Sequence, residues 1–251
     1  MLLLALDTSS KTGSAAVFRD QTLLSSEYVD GSGKSASQLI PTIMSVIRSQ
    51  KLEISQIDCV AVTTGPGSFT GLRVGVTAAK VLAYALKCDV IGVNTLTTIA
   101  AQGFDFLSPN NQTNSEPCPE GADKKSPKPE NKQLVAAIDA QRNQLFVSRF
   151  EAGPTWSPQP IGEVEIVSRD ELSSIAQGAA VLGPGLERLS DSQLTGLEVL
   201  DRALWDCSAE SVGWHASALL AGGEKADFWS LKPNYFRPSS AEEKRLLQEM
   251  D

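Results

Sequence analysis

The strongest candidate for chemistry is a glycine-rich block at residues 65–75, with the sequence GPGSFTGLRVG. A glycine-rich turn at a helix N-terminus leaves backbone N–H groups available to bind an anion. Ser68 and Thr70 are suitable helix caps, and Arg73 is a nearby cation. The block is not a Walker A loop, because Leu72 and Arg73 stand where that motif needs Lys and Ser or Thr. It indicates either a phosphate cradle of another type or the start of a closely packed helix.

Small residues recur every four positions after this turn, at Gly71, Gly75, Ala79 and Ala83. Positions four apart share one helix face, so the spacing predicts a stripe with almost no side-chain bulk. Such a stripe lets another backbone approach closely. The neighbour is either the sheet or first helix of the same domain, or a helix of another subunit.

Two aspartates directly follow apolar runs, Asp7 after residues 2–6 and Asp139 after residues 134–138. At the end of a buried strand, hydroxyl and backbone N–H groups can face phosphates and a carboxylate can face a metal-bound water. The alternatives are that Asp7 satisfies its own turn and that Asp139 forms a surface ion pair with Arg142.

Other catalytic groups are scarce. The four cysteines, Cys59, Cys88, Cys118 and Cys207, lie far apart, and no C-x-x-C pair or pair of histidines at ligand spacing occurs. The single histidine, His215, lies on a predicted helix without a placed nucleophile, which favours a packing or surface role. No metal site and no catalytic residue is predicted.

Composition limits the classes of protein that this chain can be. The 251 residues carry a formal net charge of -8, with a pI near 4.8, which argues against binding nucleic acid unaided because that needs a basic field. The apolar N-terminus has no basic region before it and reaches Asp7 at once, which indicates a first strand rather than a signal peptide. No run of about 18 apolar residues occurs, so no membrane span is predicted. With the scattered cysteines, this predicts a reduced, cytoplasmic protein.

Hydrophobic periodicity predicts strand, strand, strand, helix, strand, helix, strand, helix over residues 1–104. The first two helices are expected at about 37–50 and 70–86, with Pro41 in the first turn of the former or at a kink. A third is expected at about 95–102.

The rest of the chain divides into three segments. Residues 105–133 are a polar insertion, since residues 108–132 hold no Val, Ile, Leu, Met or aromatic residue. Residues 134–237 partly repeat the opening pattern and include a helix at about 169–177 and the turn Gly183-Pro184-Gly185. Residues 238–251 form a charged tail. This order predicts an α/β architecture of two related halves with mixed sheets.

Several motifs together resemble the bacterial TsaB family. They are LLALDTS at 3–9, GSAAV at 13–17, LIP at 39–41, the glycine-rich block, IGVNTL at 91–96, AIDA at 137–140 and PNYFR at 233–237. They span nearly the whole chain outside the insertion, and GPGSFTGLR is the most specific of them.

The resemblance implies an actin-like ATPase (ASKHA) fold, shared with sugar kinases and Hsp70 chaperones, in which the second subdomain is reduced. It implies a non-catalytic subunit of the machinery that forms N6-threonylcarbamoyladenosine in tRNAs reading codons that begin with A. In that machinery the paralogue TsaD is catalytic and TsaE is the ATPase partner. ATP and metal are therefore expected on the partner subunit, with no cofactor on this chain alone, and tRNA is met only through the complex.

The resemblance also implies a vestigial cofactor site where actin-like ATPases hold phosphates, metal and adenosine, at Asp7, Thr8, Asp139, Gly183 and Gly185. Two positions depart from the family. Ser35 stands where many members keep a histidine, and Gln141 replaces the arginine of Asp-Ala-Arg. Neither a metal site at position 35 nor an arginine role at position 141 carries over.

We expect the helices near 37–50 and 70–86 to dock the matching helices of TsaD in a pseudo-symmetric four-helix contact, or to form a homodimer without TsaD. The expected interface residues are Leu39, Ile43, Ile47, Phe69, Thr70, Gly71, Arg73, Gly75, Ala79 and Ala83. Two alternatives are weighed against this. One is an independent ATP-dependent phosphotransferase using Asp7 or Asp139. The other is a peptidase, an older label of relatives of TsaD, which a single histidine supports poorly.

Overall fold

The computed structural model describes residues 1–29, 35–108, 132–154, 157–224 and 228–237. Most of the predicted insertion at 105–133, with Cys118, and all of the predicted tail at 238–251 lie outside the described residues.

The first half contains five strands and three helices. They follow one another as β1 (Leu2–Asp7), β2 (Ser14–Arg19), β3 (Thr22–Tyr28), α1 (Ser35–Ser49), β4 (Cys59–Gly65), α2 (Phe69–Leu86), β5 (Asp89–Asn94) and α3 (Thr95–Leu107). The predicted element types and their order are confirmed. The third helix is five residues longer than predicted, and Pro41 lies inside α1, beyond its first turn.

The second half begins with a strand hairpin and ends with a helix. Its elements are β6 (Gln133–Gln141), β7 (Gln144–Glu151), β8 (Gln159–Ser168), α4 (Leu172–Ile175), β9 (Ala179–Leu182), α5 (Asp191–Leu194), β10 (Glu198–Val199) and α6 (Ala209–Ala221). The prediction of one continuous helix at 169–177 is wrong. Arg169–Glu171 is a single 3₁₀ turn, and the four-residue α4 that follows buries only Leu172.

Both halves are built on one sheet topology. The sheet orders are β3-β2-β1-β4-β5 and, read from the other edge, β8-β7-β6-β9-β10. In each sheet the first three strands are antiparallel neighbours, and the last two run parallel to the first. The second half is reduced, because α4 and α5 have only four residues each. This repeated mixed sheet is the predicted actin-like architecture.

The first strand is apolar up to its last residue, Asp7, because both of its faces are covered. Leu4 and its neighbours two positions away pack into a core with α1 and α2. Leu3 and Ala5 face the opposite way, into a core shared with α3, α6 and the second sheet. The helices α3 and α6 therefore lie between the two sheets, and α1 and α2 cover the outer face of the first.

The small-residue stripe of α2 packs against the first strand of its own domain. A Cβ atom on Gly71 would lie 2.1 Å from the backbone oxygen of Thr8, and one on Gly75 would lie 2.1 Å from Thr8 Oγ1. Ala79 and Ala83, further along the stripe, are buried in the same core. The stripe therefore serves close packing within the domain.

The helix α2 is also long and apolar enough, by length and composition, to cross a membrane, and it is the one such helix among the described residues. A core helix passes the same test. Because α2 carries Arg73 and Lys80 and packs its buried face on the sheet, it is explained as part of this core.

Candidate functional site

The two halves enclose a cleft of about 1040 Å³, lined by the segments that follow β1 and β6. The first half contributes the turn 9–12 and the block 66–70, and the second contributes residues 138–142. Tyr235 and its neighbours near the end of the described chain line another part of the wall. Both predicted aspartates therefore lie at or next to this cleft.

Asp7 is fully buried at the end of β1. Its Oδ1 accepts hydrogen bonds from Ser9 N at 3.0 Å, Ser9 Oγ at 2.7 Å and Thr63 Oγ1 at 2.9 Å. Burial raises the pKa of Asp7, and these three hydrogen bonds lower it in part. Oδ2 has no hydrogen-bond partner among the described residues. Asp7 thus satisfies its own turn, and Ser9 rather than Asp7 lines the cleft.

Thr8 faces α2 rather than the cleft. Its hydroxyl and carbonyl oxygens occupy the space left by the missing side chains of Gly75 and Gly71. The N-terminus of α2 is also engaged, since Ser68 Oγ accepts from Gly71 N at 3.2 Å and Ser68 N donates to Ser9 O at 2.7 Å. The structure therefore fills the position predicted for a phosphate with the protein's own helix.

Asp139 is partly exposed, with 30% of its side chain accessible, and is bound by cations. Its Oδ1 accepts from Arg169 Nη2 at 3.2 Å and from Gln141 N at 3.0 Å. Its Oδ2 lies 3.7 Å from Arg188 Nε. The alternative of an ion pair is supported, but Arg169 and Arg188 lie far along the chain and were not predicted. Arg142 lines the cleft.

Gly183 and Gly185 pack on the backbone of β6. Gly183 has a φ of +119°, and its Cβ would lie 2.2 Å from Ala137 O. A Cβ on Gly185 would lie 3.0 Å from the same oxygen. These glycines allow a turn to approach a strand, which is a structural role.

The residues at this cleft do not fit a metal-bound nucleotide. Such a site needs carboxylates that face the metal or its waters, whereas Asp7 is buried and Asp139 is neutralised by two guanidinium groups. In the part of the chain that the structure describes, no cluster of three His, Cys, Asp or Glu residues can hold a metal ion.

A segment that sequence reasoning missed connects the two halves. Residues 228–237, which we call the C-terminal strap, bury Leu231 in the core of the first half. Asn234 N donates to Thr64 O at 2.7 Å, and Arg237 Nη1 donates to Ala140 O at 2.6 Å in the second half. The signal available in the sequence was the motif PNYFR, which carries both contacts.

Six of the ten expected interface residues are buried in the protein's own core: Leu39, Ile43, Ile47, Gly75, Ala79 and Ala83. A buried residue cannot contact a partner without disrupting the fold. The expectation for these six is wrong, because the apolar sides of α1 and α2 are already used by the first sheet.

Three of the other four cluster at the start of α2. The guanidinium of Arg73 lies 3.9 Å from the ring centre of Phe69, and Arg73 Nε donates to Tyr235 OH at 2.8 Å. Thr70 is exposed beside them, and Gly71 is half-buried. Contact of these residues with a partner stays a prediction.

A different set of apolar residues is exposed on the outer sides of the same two helices. Ile40 on α1 is 48% exposed and Val81 on α2 is 61% exposed. A shallow groove along α1 is lined by Ile40, Pro41, Met44 and Arg48. We call these residues, with Val81, the helix face.

The groups needed by a peptidase are poorly placed. His215 is buried on α6, with 3% of its surface exposed, and does not line the cleft. Cys207 does line the cleft, but burial raises the pKa of its thiol well above the usual value. A protonated thiol is a weak nucleophile.

A family model described as TsaD, tRNA N6-adenosine threonylcarbamoyltransferase, matches residues 31–113 of this chain. That is about a third of the sequence, and it contains α1, α2 and α3.

Relatives named TsaB match nearly the whole chain. Identity to the tRNA threonylcarbamoyladenosine biosynthesis protein TsaB of Bacillus subtilis strain 168 is 26% over 249 residues, with 97% of each chain covered. Identity to the protein of the same name in Escherichia coli K12 is 24% over 247 residues, with 96% of each covered. The predicted resemblance to TsaB proteins is confirmed.

Solved structures confirm the fold. A structure of YeaZ from Pseudomonas aeruginosa superposes with a TM-score of 0.72 at 24% identity, covering 94% of this chain and 99% of that one. A second structure, of an uncharacterized protein with similarity to peptidase YEAZ, gives 0.71 at 23% identity and the same coverage.

Proposed function

We propose that this chain, which resembles TsaB proteins over nearly its whole length, is a non-catalytic subunit of the machinery that forms N6-threonylcarbamoyladenosine in tRNAs reading codons that begin with A. The names of the matched proteins support a role in threonylcarbamoyladenosine biosynthesis. The observation that carries the non-catalytic role is the state of the two aspartates. Asp7 is buried, and Asp139 is bound by two arginines.

In this proposal the partner is the catalytic subunit TsaD, and the helix face is the contact. The TsaD family model matches the segment that contains α1 and α2. Two related proteins can therefore present the same pair of helices to each other around a pseudo-twofold axis. The apolar, exposed side chains of Ile40 and Val81 are suited to be buried in such a contact.

The other components follow from the same division of roles. ATP and metal belong to the partners, with TsaE as the ATPase, and tRNA is modified by the complex in the cytoplasm. Without TsaD, the same apolar helix face can pair with a second copy of this chain, since a C2 contact uses one surface twice.

The test is a charge placed on the α2 side of the helix face. Val81→Asp should weaken co-purification with TsaD at least tenfold, because burying an unpaired carboxylate in an apolar contact is costly. The matched control is Ile161→Asp, which alters an apolar residue of similar size that is 38% exposed on β8, in the other half.

Three measurements decide the outcome. Circular dichroism should show that both variants are folded, and tRNA threonylcarbamoylation by the reconstituted proteins should fall only with Val81→Asp. Sedimentation of the chain alone should show less dimer for that variant. TsaD binding by Val81→Asp at the level of Ile161→Asp would contradict the proposed contact, and modification activity of the chain without TsaD would contradict the non-catalytic role.

A further inference from the structure

We propose that the C-terminal strap and the adjacent side of α2 bind an unpaired stretch of RNA. The surface, which we call the aromatic surface, is formed by Arg73, Lys80, Tyr84, Phe228, Trp229 and Tyr235. The choice of RNA as the ligand rests on the proposed function, whereas the surface itself is defined by exposure, ring contacts and charge.

The first part of this surface is a set of exposed rings. Trp229 is 82% exposed and Tyr84 is 75% exposed. Phe228 lies between them, with its ring centre 5.0 Å from that of Trp229 and 6.3 Å from that of Tyr84. Rings held by neighbours yet open to solvent offer faces on which bases stack, whatever the base sequence.

Cations accompany these rings. Lys80 Nζ lies 5.1 Å from the ring centre of Phe228 and donates to Leu231 O at 3.1 Å. The strap therefore holds this ammonium group beside the rings, where it can also meet a phosphate. Arg73 lies two helical turns before Lys80, about 10 Å along α2.

Arg73 belongs to a second, similar cluster. Its guanidinium lies 3.9 Å from the ring centre of Phe69 and 5.6 Å from that of Tyr235, and these two rings are 4.7 Å apart. Tyr235 is 44% exposed. Two ring-and-cation clusters therefore lie along one side of α2, as a flexible strand with alternating bases and phosphates would require.

The charge of this region is opposite to that of the chain as a whole. The full sequence has 30 acidic and 22 basic residues, yet residues 69–87 and 228–237 contain five basic residues and no acidic one. In the sequence, Asp227 directly precedes the second segment and Asp89 lies two residues after the first. A local basic field in an acidic protein favours an anionic ligand at that place.

RNA explains these features better than an acidic protein does. An acidic protein surface would pair with the cations but would leave the exposed rings without a matching group, whereas unpaired bases stack on rings and their phosphates meet the cations. The helix face adjoins this surface on α2, because Val81 lies three positions before Tyr84. Its α1 side is separate, since Tyr84 contacts the strap whereas the groove lined by Ile40 lies along α1.

The test uses the full chain and a fluorescein-labelled, twelve-nucleotide single-stranded RNA at low salt, read by fluorescence anisotropy. Trp229→Ala and Tyr84→Ala should each weaken binding about tenfold, since stacking contributes on the order of this per base. Tyr84→Phe keeps the ring and should bind as the unchanged protein does. Tyr28→Ala removes a ring that is 63% exposed elsewhere, and should have no effect.

Charge and ligand class are tested in the same assay. Lys80→Glu should weaken binding. It should also reduce the slope of the logarithm of the binding constant against the logarithm of the salt concentration by about one. A blunt RNA duplex of the same length should bind more weakly than the single strand. No RNA binding at low salt, equal effects of Tyr28→Ala and Trp229→Ala, or displacement of RNA by polyglutamate at equal charge would each overturn the proposal, the last in favour of an acidic protein.

The outcomes also separate this inference from the proposed function. If Trp229→Ala loses RNA binding while the chain does not pair with TsaD, the RNA surface stands and the proposed function fails. If TsaD pairing and tRNA modification are normal and the Trp229→Ala variant binds RNA normally, the proposed function stands and the RNA surface fails.

Discussion

The two halves of the molecule share one sheet topology but treat the carboxylate after their first strand in opposite ways. In the first half, Asp7 is buried, and its carboxylate accepts hydrogen bonds from Ser9 and Thr63. In the second half, Asp139 reaches the cleft edge and is held by Arg169 and Arg188. Asp7 is withdrawn from the cleft by burial, whereas Asp139 is at the cleft but engaged by cations.

The glycine turns show the same contrast. In the first half, Gly71 and Gly75 let a long helix lie on Thr8. In the second half, Gly183 lets a turn lie on β6, and only a short helix follows. Two halves with one sheet topology therefore fill the space beside their first strand in different ways, one with a long helix and the other with a turn.

The largest expected effects come from adding side chains at these two contacts. Gly75→Leu and Gly183→Val should each lower the free energy of unfolding by about 3 kcal/mol or more, because the new Cβ atoms overlap Thr8 and Ala137 O. Urea denaturation measures both.

Two controls isolate the overlap. Thr77→Leu enlarges an exposed residue of α2 and should change stability by less than about 0.5 kcal/mol. Gly178→Ala adds a Cβ at a φ of +73° with nothing within 4 Å, so it measures the backbone strain alone, about 1 kcal/mol. If Gly75→Leu and Thr77→Leu were equally stable, the packing role of the stripe would be wrong.

Smaller effects are expected at the two aspartates, and they should differ in sign. Asp139→Asn should lower stability at pH 7 by about 1 kcal/mol, because two cations lose their partner at a partly exposed site. Asp7→Asn should be neutral or stabilising at pH 7. An asparagine oxygen can accept the same hydrogen bonds and no buried charge remains, which offsets the cost of burying an amide group at the Oδ2 position, where no partner exists among the described residues.

The pH dependence distinguishes the Asp7 effect from a change in packing. Burial raises the pKa of Asp7 in the folded state, so protonated Asp7 favours folding, and this contribution is lost as pH rises through the folded pKa. The stability of Asp7→Asn relative to the unchanged protein should therefore rise from about pH 4 upward, until Asp7 is fully ionised in the folded state. A stability difference that is flat over this range would contradict the assignment.

Much of the fold is predictable from local sequence. The apolar runs ending at Asp7 and Asp139 identify the first strand of each half, because strands covered on both faces need continuous apolar sequence. The helix predicted at 169–177 fails because local pattern cannot tell a short turn that buries only Leu172 from a full helix.

The site is less predictable than the fold because its contacts join distant residues. Thirty residues separate Asp139 from Arg169, and 97 separate Ala140 from Arg237. Helical periodicity predicts that Leu39 on α1 and Ala79 on α2 are buried, but it does not predict which part of the structure covers them. Their own sheet covers both, which leaves Ile40 and Val81 exposed instead.

The smallest expected effect is an absence of heat when the isolated chain is titrated with ATP and magnesium in a calorimeter. A phosphotransferase would need a carboxylate for the metal and room for phosphates at the helix N-terminus. Thr8 fills that room in the first half, and the arginines hold Asp139 in the second. Micromolar binding that Asp139→Asn abolishes would contradict the structural role of Asp139, since it would show that Arg169 and Arg188 release the carboxylate to a ligand. Binding that Asp139→Asn leaves unchanged would place the nucleotide elsewhere in the cleft, and it would equally contradict the conclusion that the cleft does not fit a metal-bound nucleotide.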